Sequence, residues 1–154
     1  MDFVSANTLR TALQDILEEL EDENDQPLFQ EVRQLYGDNA DVELFLRLPD
    51  LAKFPAAAIQ FLRTRTPTEY GGAVQEIDGN VLVICRTNGV PEHHEEAETL
   101  FETVLSTLRS DVPGQFLCLR GCPLILLGHD AVSAGLDYAV SKIEFTLKVP
   151  GRAV

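Results

Sequence analysis

The feature that most constrains the fold is an uninterrupted apolar run near the middle of the chain. Residues 81–85 read Val-Leu-Val-Ile-Cys and are mostly β-branched. A run of this kind predicts a strand that is covered on both faces, as strands in the interior of a sheet are. We therefore expect this strand to be the centre of the sheet.

A turn and a helix follow the strand directly. The Asn88-Gly89 pair is typical of a turn. Pro91 suits the first turn of a helix, where its missing N–H group needs no partner. The apolar residues beyond it recur at alternating spacings of three and one, which predicts a helix with one face on the sheet. They are Ala97, Leu100, Phe101, Val104, Leu105 and Leu108.

A second stripe with the same spacing predicts an N-terminal helix from about residue 8 to residue 20, with Ser5 or Asn7 as its cap. Its apolar residues are Leu9, Ala12, Leu13, Ile16, Leu17 and Leu20. Two helices with matching faces predict an α+β fold, a mainly antiparallel sheet with two amphipathic helices packed on one face. The length of 154 residues suits one core, so we expect residues 1–154 to form a single α+β domain.

The remaining pattern supplies further strands and one short helix. Residues 28–36, 56–62, 116–119 and 124–127 are apolar or β-prone segments bounded by turn residues, and residues 41–48 have the apolar spacing of a short helix. Gly71-Gly72 is a natural two-residue turn. It predicts a long hairpin between residues 56–62 and the central strand, with a tip that projects beyond the core.

In the last predicted strand, the alternation of apolar and polar residues changes along its length. Ile143, Phe145 and Leu147 alternate with polar residues, which is typical of an antiparallel strand with one wet face. Tyr138 and Val140 fall on the opposite parity. We expect either a bulge there or a partner that covers outward-facing apolar side chains.

The net charge of the chain limits the kinds of molecule that it can bind. The formal net charge is −13, which argues against nucleic-acid binding, because phosphate contacts need clustered lysines and arginines. Residues 1–50 contain 13 acids and 3 bases, a net of −10, and the densest acidic part is residues 18–25. This segment is either a solvated face or a contact for a basic protein partner.

No segment predicts insertion into a membrane. The chain has no apolar run near the roughly 20 residues that a spanning helix needs, and its first residues lack the basic start of a signal peptide. We expect synthesis in the cytoplasm and no membrane partner. The three cysteines make a disulfide framework improbable, and Cys85 reads as a core residue.

The residues that could carry chemistry do not form a complete site. Cys118, Cys122 and His129 supply three of the four ligands of a structural zinc site. The neighbours His93 and His94 point about 100° apart on a helix and cannot share an ion. We therefore predict no metal site.

Hydrolytic and nucleotide sites are equally incomplete. The His129-Asp130 pair has no serine in a nucleophile elbow, since neither Ser133 nor Ser141 lies in a complete Gly-x-Ser-x-Gly sequence. Gly37 and the Gly71-Gly72 pair belong to no phosphate-binding loop. We predict no catalytic residue, no cofactor and no enzymatic activity.

Two bases stand out in this acidic chain. Arg63 and Arg65 flank the predicted hairpin, where opposite an acidic neighbour they would set the register of an interface. With the hairpin tip and the residues of reversed parity, they define a candidate oligomer or partner interface made of Arg63, Arg65, Tyr70, Gly71, Gly72, Tyr138 and Val140.

The order of elements resembles the tail-terminator proteins of long-tailed bacteriophages. The resemblance rests on Phe54-Pro55-Ala56 before an alanine-rich strand and on residues 83–89, 100–108 and 138–149. It implies a fold similar to that of tail-tube proteins and a hexameric ring. Such a ring caps the tail tube at the tail-to-neck junction of the virion and meets the neck connector. It implies no catalytic residues.

Two other classes remain open on sequence grounds. Another neck or tail component, such as a connector, stopper or tube protein, would show the same α+β pattern. A small cytoplasmic enzyme would instead have a concave polar pocket with titratable groups of perturbed pKa.

Overall fold

The protein has the predicted α+β fold, with two helices and six strands in the part of the chain that is described. The computed structural model describes residues 4–36, 54–67, 74–109, 117–132 and 137–150. The helices are α1 (Ala6–Glu18) and α2 (Pro91–Leu108). The strands are β1 (Glu31–Leu35), β2 (Ala56–Arg65), β3 (Val74–Arg86), β4 (Leu117–Leu119), β5 (Cys122–Val132) and β6 (Tyr138–Pro150).

The strands form one sheet in the order β1-β2-β3-β6-β5-β4. The β1–β2 pair is parallel, and every other pair is antiparallel. β3 is flanked by β2 and β6, so the prediction that the apolar run is central is confirmed. β3 and β6 pair without a break from Val74 opposite Pro150 to Arg86 opposite Tyr138.

One face of the sheet carries the main core and both helices. Leu9, Leu13 and Leu17 of α1 and Val104 and Leu108 of α2 are buried there. The strands contribute a row of apolar side chains to the same cluster: Ala57, Ile59, Ile77, Val81, Val83, Ile143, Phe145, Leu147 and Val149. The matching stripes of the two helices therefore meet the same sheet face, which we call the helix face.

The two helices cover different parts of this face. α2 packs on β3 and β6, at the centre of the sheet, whereas α1 contacts β1 and β2 near one end and also β4 at the other. A single helix can touch both ends only if the sheet curls around it. The curl follows from the right-handed twist that strands accumulate across a sheet.

The helix starts follow the local chemistry that the sequence indicates. The Ser5 hydroxyl accepts a hydrogen bond from the Thr8 backbone N–H at 3.1 Å, so Ser5 rather than Asn7 caps α1. Asn7 instead accepts from Arg10 at 2.7 Å. α2 has no side-chain cap at Val90, and Pro91 stands in its first turn.

The opposite face of the sheet, which we call the open face, has a second, smaller apolar cluster. Leu35, Ala56, Ala58, Leu82, Ile84 and Val140 are buried in it. Phe54 and Tyr138 pack against it. β3 is thus apolar on both faces over residues 81–85, which is why its sequence shows no alternation there.

Gly79 of β3 lets this strand and its neighbour β2 approach each other closely. A Cβ atom at this position would lie 2.6 Å from the Gln60 carbonyl oxygen and 2.8 Å from the Phe145 ring. The carbonyl belongs to the neighbouring strand and cannot move aside alone. A side chain at position 79 would therefore force strands β2 and β3 apart.

Two β-bulges lie at the same level on either side of the central pair. The β2–β3 register shifts between Phe61 and Arg63, which makes Leu62 the extra residue. The β5–β6 register shifts between Leu126 and Gly128, which makes Leu127 the extra residue. Both leucines are exposed, at 51% and 61%. The inserted residues thus break the in-out alternation of their strands.

Several boundaries differ from those predicted. β1 spans only Glu31–Leu35, and β5 continues to Val132 instead of ending near residue 127. The β4–β5 turn is Arg120-Gly121, both with positive φ, as a two-residue hairpin turn requires. The predicted helix at residues 41–48 and the hairpin tip lie outside the described residues.

Candidate functional site

The two arginines of the candidate interface bind a carboxylate within their own chain. Arg63 Nε lies 2.8 Å from Asp78 Oδ2, and Arg65 Nε lies 2.7 Å from the same oxygen. Arg65 Nη2 also donates to Asp78 Oδ1 at 2.9 Å and pairs with Glu76 at 2.8 Å. These bases therefore face the acidic residues of β3 in their own chain.

Asp78 is the centre of this ion cluster. Thr146 Oγ1 of β6 donates to its Oδ1 at 2.7 Å, so three strands converge on one carboxylate. The Arg65 hydrogen bonds, with help from Arg63 and Thr146, hold the pKa of Asp78 well below its ordinary value, although burial opposes this. The carboxylate is thus ionised throughout the neutral and mildly acidic range.

The sequence reasoning missed Asp78, although a signal was present. Glu76, Asp78 and Asn80 alternate with Ile77 and Gly79 along the first half of β3, and all five residues are buried. Alternation of this kind places the polar side chains on one face of a strand. Here that face is the open face, because Ile77 belongs to the helix-face cluster.

The second half of β2 is the exposed part of the site. β1 pairs with β2 only from Ala56 to Gln60, and β2 continues beyond it to Arg65. Residues 62–66 are all exposed. Within the described part of the chain, this half of β2 therefore presents an unpaired edge.

The structure places Tyr138 and Val140 in different environments. Val140 is 3% exposed in the open-face cluster, so the prediction that its side chain faces outward is wrong. The β3–β6 pairing shows no shift, so the alternative of a bulge in β6 is also wrong there. The apolar residues of β6 move from helix-face positions to open-face positions here, because the open face is itself apolar at this end of the sheet.

Tyr138 is half-buried in an aromatic and cationic group at the start of β6. Its ring lies 5.3 Å from that of Phe54, and the Arg86 guanidinium stands 5.8 Å from each ring centroid. A guanidinium over aromatic faces is a favourable cation–π arrangement. This group connects the segment before β2 to the end of β3 and the start of β6. The other predicted interface residues, Tyr70, Gly71 and Gly72, lie outside the described residues.

The candidate metal ligands are not brought together. Cys118 faces Pro123 and Cys122 faces Leu119 across the β4–β5 hairpin. Cys118 is exposed and Cys122 buried. His129 packs its ring 5.5 Å from that of Phe101. Among the described residues there is no group of three His, Cys, Asp or Glu side chains that could hold a metal ion.

A small cleft of about 180 Å³ lies between the start of β2, the end of β3 and α2. It is lined by Cys85, Arg86, His93 and Glu96, among others. Burial, and to a lesser extent the charge of Glu96, raises the pKa of the Cys85 thiol to about 11. Since the thiolate is the reactive form, this thiol is poorly suited to be a nucleophile near neutral pH. His93 Nδ1 lies 3.0 Å from the Thr87 carbonyl oxygen.

The acidic segment makes a compact turn. The Asp22 carboxylate accepts from the backbone N–H groups of Asn24 and Gln26 at 2.8 and 3.0 Å. Leu28 N–H closes the turn on the Leu20 carbonyl at 2.8 Å. Within the described residues, no base forms an ion pair with residues 18–25.

Comparison with known proteins leaves the family open: no family model and no curated protein matches this chain. Neither described helix has the length and apolar character needed to cross a membrane.

Proposed function

We propose that this protein is a structural subunit of a long-tailed bacteriophage, a tail terminator. In this proposal it forms a hexameric ring that caps the tail tube and joins it to the neck connector. The proposal starts from the sequence resemblance. The segments that carry the resemblance coincide with structural units, since residues 83–89 end β3 and form its turn, residues 100–108 lie in α2, and residues 138–149 make up β6.

One observation supports an assembly role above the others. The second half of β2 is exposed, its edge is unpaired in the described part of the chain, and it carries Arg63 with 69% of its side chain exposed. An open strand edge is a template for pairing or docking by another chain. Leu62 adds an exposed apolar side chain at the same place.

Native mass spectrometry and negative-stain electron microscopy of the purified full chain test the proposal. We expect a closed ring with the mass of a hexamer. Immunogold labelling of phage particles that carry the protein should mark the tail-to-neck junction. An open filament would indicate a tube protein instead. A monomer in solution that is also absent from that junction would contradict the proposal.

A further inference from the structure

Among the described residues, Asp78 is the partner that binds the Arg63 guanidinium. Its Nε donates to Asp78 Oδ2, while 69% of the side chain is exposed. Arg65 is engaged more fully, by both Asp78 oxygens and by Glu76. A guanidinium carries five N–H donors and binds a carboxylate best through two parallel hydrogen bonds. Asp78 binds Arg63 through Nε, and the exposed guanidinium has further N–H donors that a second carboxylate could bind.

The surroundings of Arg63 suit a contact with another protein. Leu62, its neighbour in the chain, is 51% exposed at the bulge of β2. An apolar side chain beside an ion pair helps to exclude water from it on docking. Because the ion cluster already fixes the Arg63 side chain, less conformational entropy is lost when a partner binds.

The chain itself contains a matching surface, the acidic turn of residues 18–25. This turn carries six acids and no base, and all of its acids are exposed. The Asp22 carboxylate accepts two backbone hydrogen bonds within it. The exposed Arg63 is opposite in charge to this turn, in a chain with a net charge of −13.

The two surfaces lie on opposite faces of the sheet. Arg63 pairs with Asp78, which in turn accepts a hydrogen bond from Thr146. Asp78 and Thr146 belong to the open face, because their neighbours Ile77 and Leu147 are buried under the helices. The acidic turn continues from α1, whose buried leucines lie on the helix face. One molecule therefore cannot bring them together, but two copies in head-to-tail contact can.

We infer that Arg63 docks onto the acidic turn (residues 18–25) of a second copy of this chain. The contact is heterologous, because different surfaces of the two copies meet, and such a contact makes a ring when its rotation closes. The inference rests on the proposed function and names the contact through which its subunits meet.

Charge reversal on each side tests the contact in the full-length protein. Arg63→Glu, and separately Glu21→Arg with Glu23→Arg, should each raise the dissociation constant of self-association at least about tenfold. Combining the three substitutions in one chain restores opposite charges and should restore assembly. Analytical ultracentrifugation measures the assembly, and circular dichroism checks that each variant is folded. Arg109→Glu, an exposed base at the end of α2, is the matched control and should assemble like the wild type.

The turn variant keeps the test decisive if Arg63→Glu disturbs Asp78 and fails to fold, because Glu21 and Glu23 make no contact with the ion cluster. A folded turn variant that assembles normally overturns the inference, as does a combined variant that folds but does not reassemble. If the wild type is a hexamer and either of these results is obtained, the proposed function remains supported, but the subunits meet through a different contact. A wild-type chain that stays monomeric at its highest soluble concentration also overturns the inference. In that case, labelling at the tail-to-neck junction decides whether the proposed function holds.

Discussion

Asp78 shows how one buried carboxylate can connect three strands. It accepts four hydrogen bonds, from Arg63, Arg65 and Thr146, which lie on β2 and β6. Hydrogen bonds to a charged group contribute about 1.5–3 kcal/mol each at most, and the exposure of the arginines reduces this. The cluster holds the bulged part of β2 against the sheet beyond the reach of β1.

Replacing Asp78 by Asn should lower the free energy of unfolding by about 1–3 kcal/mol at neutral pH. The folded pKa lies below the unfolded value of about 3.9, so the carboxylate stabilises the fold above that value and the contribution is lost as the pH falls below it. The difference between wild type and Asp78→Asn should therefore shrink between about pH 5 and pH 2. Urea denaturation across this range measures it. The exposed Asp130→Asn is the control, and a difference that does not change with pH would contradict the assignment.

The cysteines should differ sharply in reactivity. Burial raises the pKa of Cys85 to about 11 and also raises that of Cys122, whereas the Cys118 side chain is exposed. Since thiolates react with disulfide reagents, one thiol should react rapidly at about pH 8 and two only after unfolding. Spectrophotometric thiol titration measures this. Cys118→Ser should remove the rapid phase, and its persistence would contradict the assigned burial.

At the scale of elements, α2 is held by its apolar face rather than by its cap. Val90 offers no side-chain cap, whereas Ala97, Leu100, Val104, Leu105 and Leu108 are buried against the sheet. Tertiary packing is the main source of stability for most helices of this length in proteins.

Truncating one of these side chains should therefore be costly. Leu105→Ala should lower the free energy of unfolding by about 2–5 kcal/mol, because it removes buried methyl groups and leaves a cavity. The neighbouring exposed Ser106→Ala should change it by less than about 0.5 kcal/mol. Chemical denaturation compares the two variants. A loss below about 0.5 kcal/mol for Leu105→Ala would show that α2 does not pack on β3 and β6 as described.

At the scale of the whole molecule, the two faces of the sheet share their strands. β3 and β6 contribute side chains to the helix-face cluster and to the open-face cluster alike. Loss of either cluster removes support from the strands that carry the other. The molecule should therefore unfold as one cooperative unit.

Two probes can follow the faces separately. Far-ultraviolet circular dichroism reports mainly α1 and α2, on the helix face. Tyrosine fluorescence in a Tyr36→Phe, Tyr70→Phe background reports Tyr138, which packs against the open-face cluster and is then the only tyrosine. We expect both signals to give the same denaturation midpoint. Separate midpoints would show that the faces unfold independently.

Local sequence determined most of the elements and which of their faces are covered. The apolar run of residues 81–85 predicts a strand buried on both sides, and the stripes of α1 and α2 predict helices with one covered face, because these patterns depend only on the periods of strand and helix. The central position of β3 and the placement of both helices on one face followed from that reasoning and are confirmed.

Only the tertiary structure decided what the polar and reversed-parity residues do. The sequence shows that Arg63 and Arg65 are unusual bases in an acidic chain. Asp78 becomes their partner only because β2 and β3 align across a bulge, and the sequence periodicity does not predict that bulge. Val140 is buried rather than outward-facing because distant residues such as Leu35 and Ala56 make the open face apolar at that end. Contacts between strands far apart in sequence set these environments, and a pattern within one segment cannot encode them.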